Sequence, residues 1–150
     1  MRILRKALIV VVVAGLGVDA YVHLHLASTF DPIRGTISQG QLFRIEGYTA
    51  ILAAAFLLIR PGRPAAAVAA LVAGGGLAAV LLYAVVDVGP IGPLPNMYDP
   101  SWSTLKIWSA VGQAAATLAA VILLIVGVKE PQTHGGSGAV PQAGASALHQ

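Results

Sequence analysis

The sequence predicts an all-α fold, a four-transmembrane-helix bundle with both termini cytoplasmic (N-in/C-in) and a disordered C-terminal tail. Hydrophobic residues make up 57% of the 150 residues and charged residues only 10%, against about 25% charged in a typical soluble domain. A soluble chain of this length needs more polar surface than that, because surface area grows almost as fast as mass. Four long apolar stretches predict four membrane spans, and an uneven distribution of Lys and Arg predicts their orientation.

The apolar stretches place one membrane domain at residues 1–130, with spans at about residues 7–27, 39–60, 65–88 and 104–128. Each is close to the 20 or so helical residues that cross a bilayer core of about 30 Å. Helix is expected throughout, because open strands would leave backbone groups unpaired in lipid.

The connecting segments carry recognisable signals. Ser38 followed by Gln41 predicts a capping box at the start of the second helix. Residues 61–64, with two prolines and a glycine, predict a tight turn. Residues 89–101 form a Pro-rich loop, interpreted mainly as a rigid connector and alternatively as a lid over polar groups. Residues 131–150 are rich in Gly, Ser, Ala and Gln, which predicts a disordered cytoplasmic tail.

The Lys and Arg residues set the expected orientation in a cell (plasma) membrane. The cytoplasmic flanks hold Arg2, Arg5, Lys6, Arg60, Arg63 and Lys129. The opposite side holds Arg34, Arg44 and Lys106, with Tyr98, Trp102 and Trp108 as an aromatic belt. A cleaved signal peptide is the rival interpretation of the N-terminus, but the apolar run continues to Ala27, which favours a retained first span.

Small residues recur every four positions in three of the spans, which favours close helix packing in lipid. They are Gly15 and Ala27 in the first span, Ala66, Ala70, Gly74 and Ala78 in the third, and Gly112, Ala116 and Ala120 in the fourth. The same stripes would also suit a homo-oligomer, and the sequence leaves both arrangements open.

Ionisable residues inside spans are the candidate functional residues, because each costs roughly 2.5–3.5 kcal/mol at mid-bilayer on insertion scales. They are Asp19, His23, His25, Arg44, Glu46, Asp87 and Lys106. All are expected in the outer half of the membrane, where they would converge as one ligand-binding or ion-pair cluster, with Gln113 deeper.

Several interpretations of this cluster stay open. In an ion-paired network, Arg44 and Lys106 would neutralise the acids, and His23 would bond Asp19 one helical turn away. The others are a small-molecule or quinone-like site, a proton-linked pathway, and a metal site of Asp19, His23 and either Glu46 or Asp87. We expect no haem, because both span histidines lie on one helix, and no cofactor is the leading expectation.

Other classes of protein are disfavoured. The chain has no cysteine, which excludes disulfides, thiolate metal sites and cysteine catalysis. The net charge is +3, but no basic stripe with interleaved aromatics predicts nucleic-acid binding. No phosphate-binding glycine loop, nucleophile elbow or paired zinc motif is present. We therefore predict that the protein is not an enzyme.

Three segments carry a resemblance: YVHLHL at 21–26, ISQGQLFRIE at 37–46 and DVGPIGPLPNMY at 87–98. They resemble a group of small four-span membrane proteins from high-GC Gram-positive bacteria, over roughly residues 5–128. The general architecture is also similar to DoxX-like membrane proteins, some of which accompany redox enzymes. The resemblance implies a fold and a membrane location, and no activity.

The leading functional hypothesis is therefore a non-enzymatic accessory or interaction subunit, with the lipid bilayer and a membrane protein or second copy as partners. The alternatives are a small proton-coupled transporter, and a redox-linked subunit that binds a quinone or metal in the outer half of the bundle. Asp19, His23, Glu46 and Lys106 would be the contacts in that last case.

Overall fold

A computed structural model describes residues 2–127 as four helices without strands. They are α1 (Arg2–Leu26), α2 (Gln39–Ile59), α3 (Arg63–Val85) and α4 (Thr104–Val126). All four are long and apolar enough to cross a membrane. The predicted all-α bundle of four potential spans is thus confirmed, whereas the predicted tail at 131–150 lies outside the described residues.

Local sequence signals explain where the helices begin. The capping box at α2 is confirmed: Ser38 Oγ accepts from the Gln41 backbone N–H, and the Gln41 side chain accepts from the Ser38 N–H. Ser103 caps α4 in the same way through the Lys106 N–H. Helix α3 ends at Val85, earlier than the predicted span, so Asp87 belongs to the following loop.

Helices that follow one another in the chain are neighbours in space, and α1 packs closely against α4, so the bundle is a closed ring. The α1–α4 seam is tightest at Gly15 and Gly112. A Cβ at Gly15 would collide with the Gly112 carbonyl oxygen and lie 3.0 Å from the Ala116 Cβ. The small residues predicted for helix packing in these two helices therefore do bring the backbones together.

We call the bundle end that holds the short 60–62 turn the turn face, and the end that holds loop 1 (27–38) and loop 3 (86–103) the loop face. The turn-face half has a dry core of fully buried side chains from three helices, Leu16, Leu57 and Leu123. Helix α3 contributes only alanines there, the last being Ala73. No residue of α3 is fully buried again until Ala84, so this helix is less tightly covered in the loop-face half, although Gly76 lies against the Glu46 and Gln113 side chains there.

The two long loops are tied to each other at the loop face. The Ile37 backbone N–H donates to the Pro93 carbonyl oxygen at 3.0 Å. A Cβ at Gly35 would lie 2.8 Å from the same oxygen, so the two backbones touch there. The loops thus form one cap over the end of the bundle.

Candidate functional site

Asp19 is the centre of a buried polar cluster that we call the Asp19 cluster (Asp19, His23, Ser109 and Gln113). Its side chain is 0% exposed. Ser109 Oγ donates to Asp19 Oδ1 at 2.7 Å and Gln113 Nε2 donates to the same oxygen at 2.6 Å. His23 Nδ1 lies 2.9 Å from Oδ1. The buried carboxylate therefore has hydrogen-bond donors from two helices, as buried charge requires.

The spacing of these residues explains why they meet. His23 follows Asp19 by one turn of α1, and Gln113 follows Ser109 by one turn of α4, so each pair lies on one helix face. The close approach of Gly15 to Gly112 brings those two faces within hydrogen-bonding reach. The sequence prediction of a His23–Asp19 contact is confirmed, whereas Ser109 was missed. Its i, i+4 relation to Gln113 beside Gly112 is a signal that would have found it.

Three oxygens near this cluster are buried acceptors without a hydrogen-bond partner among the described residues: Asp19 Oδ2, Glu46 Oε1 and Gln113 Oε1. Glu46 and Gln113 converge on Gly76 of α3. A Cβ there would lie 2.5 Å from Gln113 Nε2 and 2.8 Å from Glu46 Oε1. Unpaired buried acceptors are uncommon in folded proteins. They mark this level of the bundle as a place where a donor group from outside the chain can be bound.

A cavity of about 320 Å³ adjoins these groups in the loop-face half. Apolar and aromatic side chains form most of its wall, among them Leu26, Phe30, Phe43, Val80 and Met97. The polar groups that reach it are Gln39, His23, Glu46, Tyr83, Ser109, Asp99, Ser103 and Lys106. We call it the loop-face cavity. It is an apolar pocket with a few convergent polar groups, as in small-molecule sites.

His23 lines this cavity, and its two ring nitrogens differ in their contacts. Nδ1 is engaged by the Asp19 carboxylate and carbonyl oxygens, at 2.9 and 3.0 Å, while no hydrogen bond from the described residues reaches Nε2. The ring packs edge-on against Phe43 with centroids 5.0 Å apart. Asp19 and Phe43 together hold the imidazole in one orientation at the cavity wall.

Lys106 reaches the cavity but does not neutralise Asp19, Glu46 or Asp87, contrary to the ion-paired network considered from sequence. Its Nζ donates to the carbonyl oxygens of Asp99 and Ser101, lies 3.4 Å from Asp99 Oδ2, and stands 5.3 Å from the Trp102 ring centroid. Lys106 therefore fastens loop 3 to α4. Because Leu94 and Met97 of that loop line the cavity, the structure supports the lid interpretation of this segment.

Arg44 also turns away from the expected cluster. Its guanidinium makes a bidentate ion pair with Asp31 of loop 1, in which Nη1 donates to Oδ1 at 2.7 Å and Nη2 donates to Oδ2 at 2.8 Å. Hydrogen bonding to Arg44, reinforced by its charge and by Ser38, lowers the pKa of the Asp31 carboxyl below its ordinary value, although partial burial opposes this. The pair fastens loop 1 to α2. Asp31 was missed from sequence because nothing in an irregular loop predicts which way its side chain points.

Two further candidates lie apart from the site. Asp87 is exposed in loop 3, where its carboxylate accepts from Asn96 Nδ2 at 2.9 Å and from the Gly89 N–H at 3.1 Å. His25 is exposed on α1 and stacks on Tyr21 with ring centroids 5.5 Å apart. The structure does not bring them into one cluster with Asp19, because α3 ends before Asp87 and because His25 lies on an exposed face of α1.

The geometry gives no support to the metal-site interpretation. Across residues 2–127, no three His, Cys, Asp or Glu side chains are grouped so that they could hold a metal ion. Asp19 already accepts from Ser109, Gln113 and His23. What the structure does bring together from the sequence candidates is Asp19, His23 and Glu46, with Lys106 at the edge of the same cavity.

Comparison with known proteins gives this site no precedent, because no protein-family model, curated protein or solved structure matches the chain. The function has to be argued from the site itself.

Proposed function

We propose that this chain is a non-enzymatic membrane subunit that binds a small quinone-like molecule in the loop-face cavity. The observation that carries the proposal is His23, which lines an apolar cavity, while Asp19 engages its Nδ1 and no described residue bonds its Nε2. A buried acid that fixes a histidine in one orientation is expected where the other nitrogen has a binding task.

The chemistry of Nε2 defines the ligand. With the proton on Nδ1, as the contact to Asp19 requires, a neutral His23 accepts a hydrogen bond at Nε2. A protonated His23 would donate there instead. A head group that carries a hydroxyl or a carbonyl suits these two states, and a quinol–quinone pair offers both. Glu46 Oε1, buried without a partner among the described residues, is a second acceptor for a hydroxyl group.

The proton-coupled carrier has less support in this geometry. A carrier needs a route across the whole membrane, whereas the turn-face half is filled by Leu16, Leu57 and Leu123. Within residues 2–127, the buried polar side chains extend no further towards the turn face than Gln113. The cavity therefore lies in one half of the bundle only, which fits ligand binding better than transport of a substrate across the membrane.

The orientation and partners belong to the same proposal. The Lys and Arg bias supports placing the loop face outside and the N-terminus in the cytoplasm of a cell-membrane protein. A bound quinone would suit a subunit that accompanies a redox enzyme or a second copy of this chain in the membrane.

The test is native mass spectrometry of the protein in lipid nanodiscs, with a benzoquinone that carries a ten-carbon tail as probe, used in its oxidised form and in its reduced quinol form, whose hydroxyl groups can donate to His23 Nε2 and Glu46 Oε1. We expect a one-to-one complex with the wild-type chain and at least tenfold weaker binding by His23→Ala, because one buried hydrogen bond is worth roughly 1–3 kcal/mol. His25→Ala is the matched control, since that histidine is exposed and lies outside the cavity wall.

Equal binding by the wild type and by a folded His23→Ala variant would rule out His23 as the contact. An absence of any complex with the wild type, under conditions where the fold is intact, would reject the quinone-like ligand itself.

A further inference from the structure

Resting on the proposed function, we infer that the ligand of the loop-face cavity is a membrane lipid with a long apolar tail, which enters sideways between α2 and α3. Its head would reach His23 while its tail remains in the gap between the two helices. The ligand is thus a tailed quinone-like lipid rather than a water-soluble ring compound.

The first argument is the gap itself. Helix α3 has no fully buried residue between Ala73 and Ala84, and α2 has none between Gly40 and Gly47. In these two segments the Glu46 side chain approaches Gly76, but no fully buried residue of either helix closes the rest of the boundary. The same helices are held together at the turn face by the short 60–62 turn, so the opening is confined to the loop-face half.

The second argument is the identity of the residues at the rim. Ile45 of α2 and Ala79 of α3 both line the cavity, and both are exposed, Ile45 by 59%. A residue that is exposed on the lipid-facing surface and also borders a cavity marks an opening to that surface. Both rim residues are apolar, which suits the passage of a hydrocarbon tail.

The third argument is that loop 3 covers part of the loop-face end of the cavity. Leu94 and Met97 of loop 3 lie over the cavity, and Lys106 holds that loop to α4. The Ile37–Pro93 hydrogen bond joins loop 3 to loop 1. At this end the exposed polar Ser103 still borders the cavity. A ligand that enters past Leu94 and Met97 would have to displace loop 3, whereas a ligand that arrives from the bilayer would not.

The fourth argument is size. A cavity of about 320 Å³ stands at the lower limit of the roughly 300–1,000 Å³ found for small-molecule pockets. It has room for a ring-sized head group and not for a long tail as well. The tail of a bound lipid must therefore leave through the gap.

The experiment compares two probes at equilibrium, the ten-carbon-tailed benzoquinone and the same ring without a tail, in nanodiscs that hold Ala79→Trp or Ala78→Trp. Ala79 is at the rim, while its neighbour Ala78 is exposed and outside the cavity wall, which makes it a matched control. A tryptophan at position 79 narrows the rim through which the tail would leave, while His23 and Glu46 remain available to the head group. Equilibrium binding of the tail-less ring does not depend on the entry route.

We expect Ala79→Trp to weaken binding of the tailed probe at least tenfold more than it weakens binding of the tail-less ring. Ala78→Trp should change neither. Undiminished binding of the tailed probe by Ala79→Trp, or an equal loss of both probes, would overturn the lateral route while the quinone-like ligand stands. If neither probe binds the wild type, the proposed function itself fails.

Discussion

Two of the contacts between neighbouring helices, the α1–α4 seam and the α2–α3 seam, use small residues in opposite ways. In the α1–α4 seam, Gly15 and Gly112 let two backbones touch, and the seam is closed. In the α2–α3 seam, Gly76 leaves space that the side-chain ends of Glu46 and Gln113 occupy, and the seam stays open beside a cavity. A glycine in a membrane helix therefore indicates close packing or a polar pocket according to what faces it.

The closed seam also determines where polar groups are stable. Asp19 lies in the face that the seam buries, and the donors to its Oδ1 from Ser109 and Gln113 come from across it. The open seam carries Glu46 Oε1, a buried acceptor that no donor from the described residues reaches. Asp19 Oδ1 is thus satisfied without a ligand, whereas Glu46 Oε1, like Asp19 Oδ2 and Gln113 Oε1, has no donor from the described residues.

The largest effect is expected from breaking the closed seam with Gly15→Leu. The new side chain would meet the Gly112 carbonyl and Ala116, so the helices must separate. We expect a loss of about 3 kcal/mol in the free energy of unfolding, at the upper end for overpacked sites. Reversible unfolding in bicelles would measure it.

Gly17→Leu is the control for that substitution, since a Cβ at Gly17 meets nothing within 4 Å. It should unfold within about 0.5 kcal/mol of wild type. Equal losses in the two variants would mean that the α1–α4 contact does not stabilise the bundle.

A smaller effect is expected at the open seam from Gly76→Ala. The added Cβ would displace the flexible ends of Gln113 and Glu46, so Gln113 would release Asp19. We expect a loss of about 1 kcal/mol in unfolding free energy, the typical net value of one hydrogen bond. Binding of the tailed benzoquinone should fall as well, because Glu46 shifts within the cavity.

Gly75→Ala is matched to it in residue type and position along α3, and a Cβ at Gly75 meets nothing within 4 Å. Unfolding in bicelles and probe binding should both stay at wild-type values. Wild-type behaviour of Gly76→Ala would show that Gln113 does not need that space.

The smallest expected effect is a pH dependence of the stability that the Arg44–Asp31 ion pair contributes where it fastens loop 1 to α2. Because Arg44 lowers the pKa of Asp31 in the folded protein, the unfolded chain binds this proton more readily. The ion pair therefore contributes its full stabilisation above the ordinary aspartate pKa of about 4. This contribution is lost as the pH falls through the lower pKa that Asp31 has in the folded protein.

Thermal unfolding of wild type and Asp31→Asn between pH 3 and pH 7, a range set by that ordinary pKa of about 4, would measure this dependence. The advantage of the wild type should be present at neutral pH and shrink in acid. Asp87→Asn, which changes an exposed loop acid bonded by Asn96, serves as the control. A wild-type advantage that grows as the pH falls would contradict a lowered pKa of Asp31 in the folded protein.

Sequence patterns predicted what lies within one helix. Helical periodicity placed His23 beside Asp19, and the capping box at Ser38 placed the start of α2, because these contacts span four residues or fewer. The partners of the cations were not predictable in the same way. Arg44 binds Asp31 and Lys106 binds Asp99, and both acids lie in loops whose course depends on tertiary contacts.

The cavity could not be predicted at all from sequence. It depends on how far α3 stands from α2, which neither helix encodes alone. The Ala and Gly content of α3 is compatible with both a closed and an open seam. Only the surrounding ring of helices, closed between α1 and α4, leaves the gap on the other side.

The pairing of the first helix with the last has a consequence for biosynthesis. The donors that satisfy Asp19 come from Ser109 and Gln113, which follow it by 90 and 94 positions. While a ribosome is still making the earlier helices, α1 sits in the membrane with an acid that has no donor from α4. Insertion of α4 thus supplies the missing donors, and a chain that stops short of it leaves Asp19 without them, at the energetic cost of an ionisable group inside the membrane.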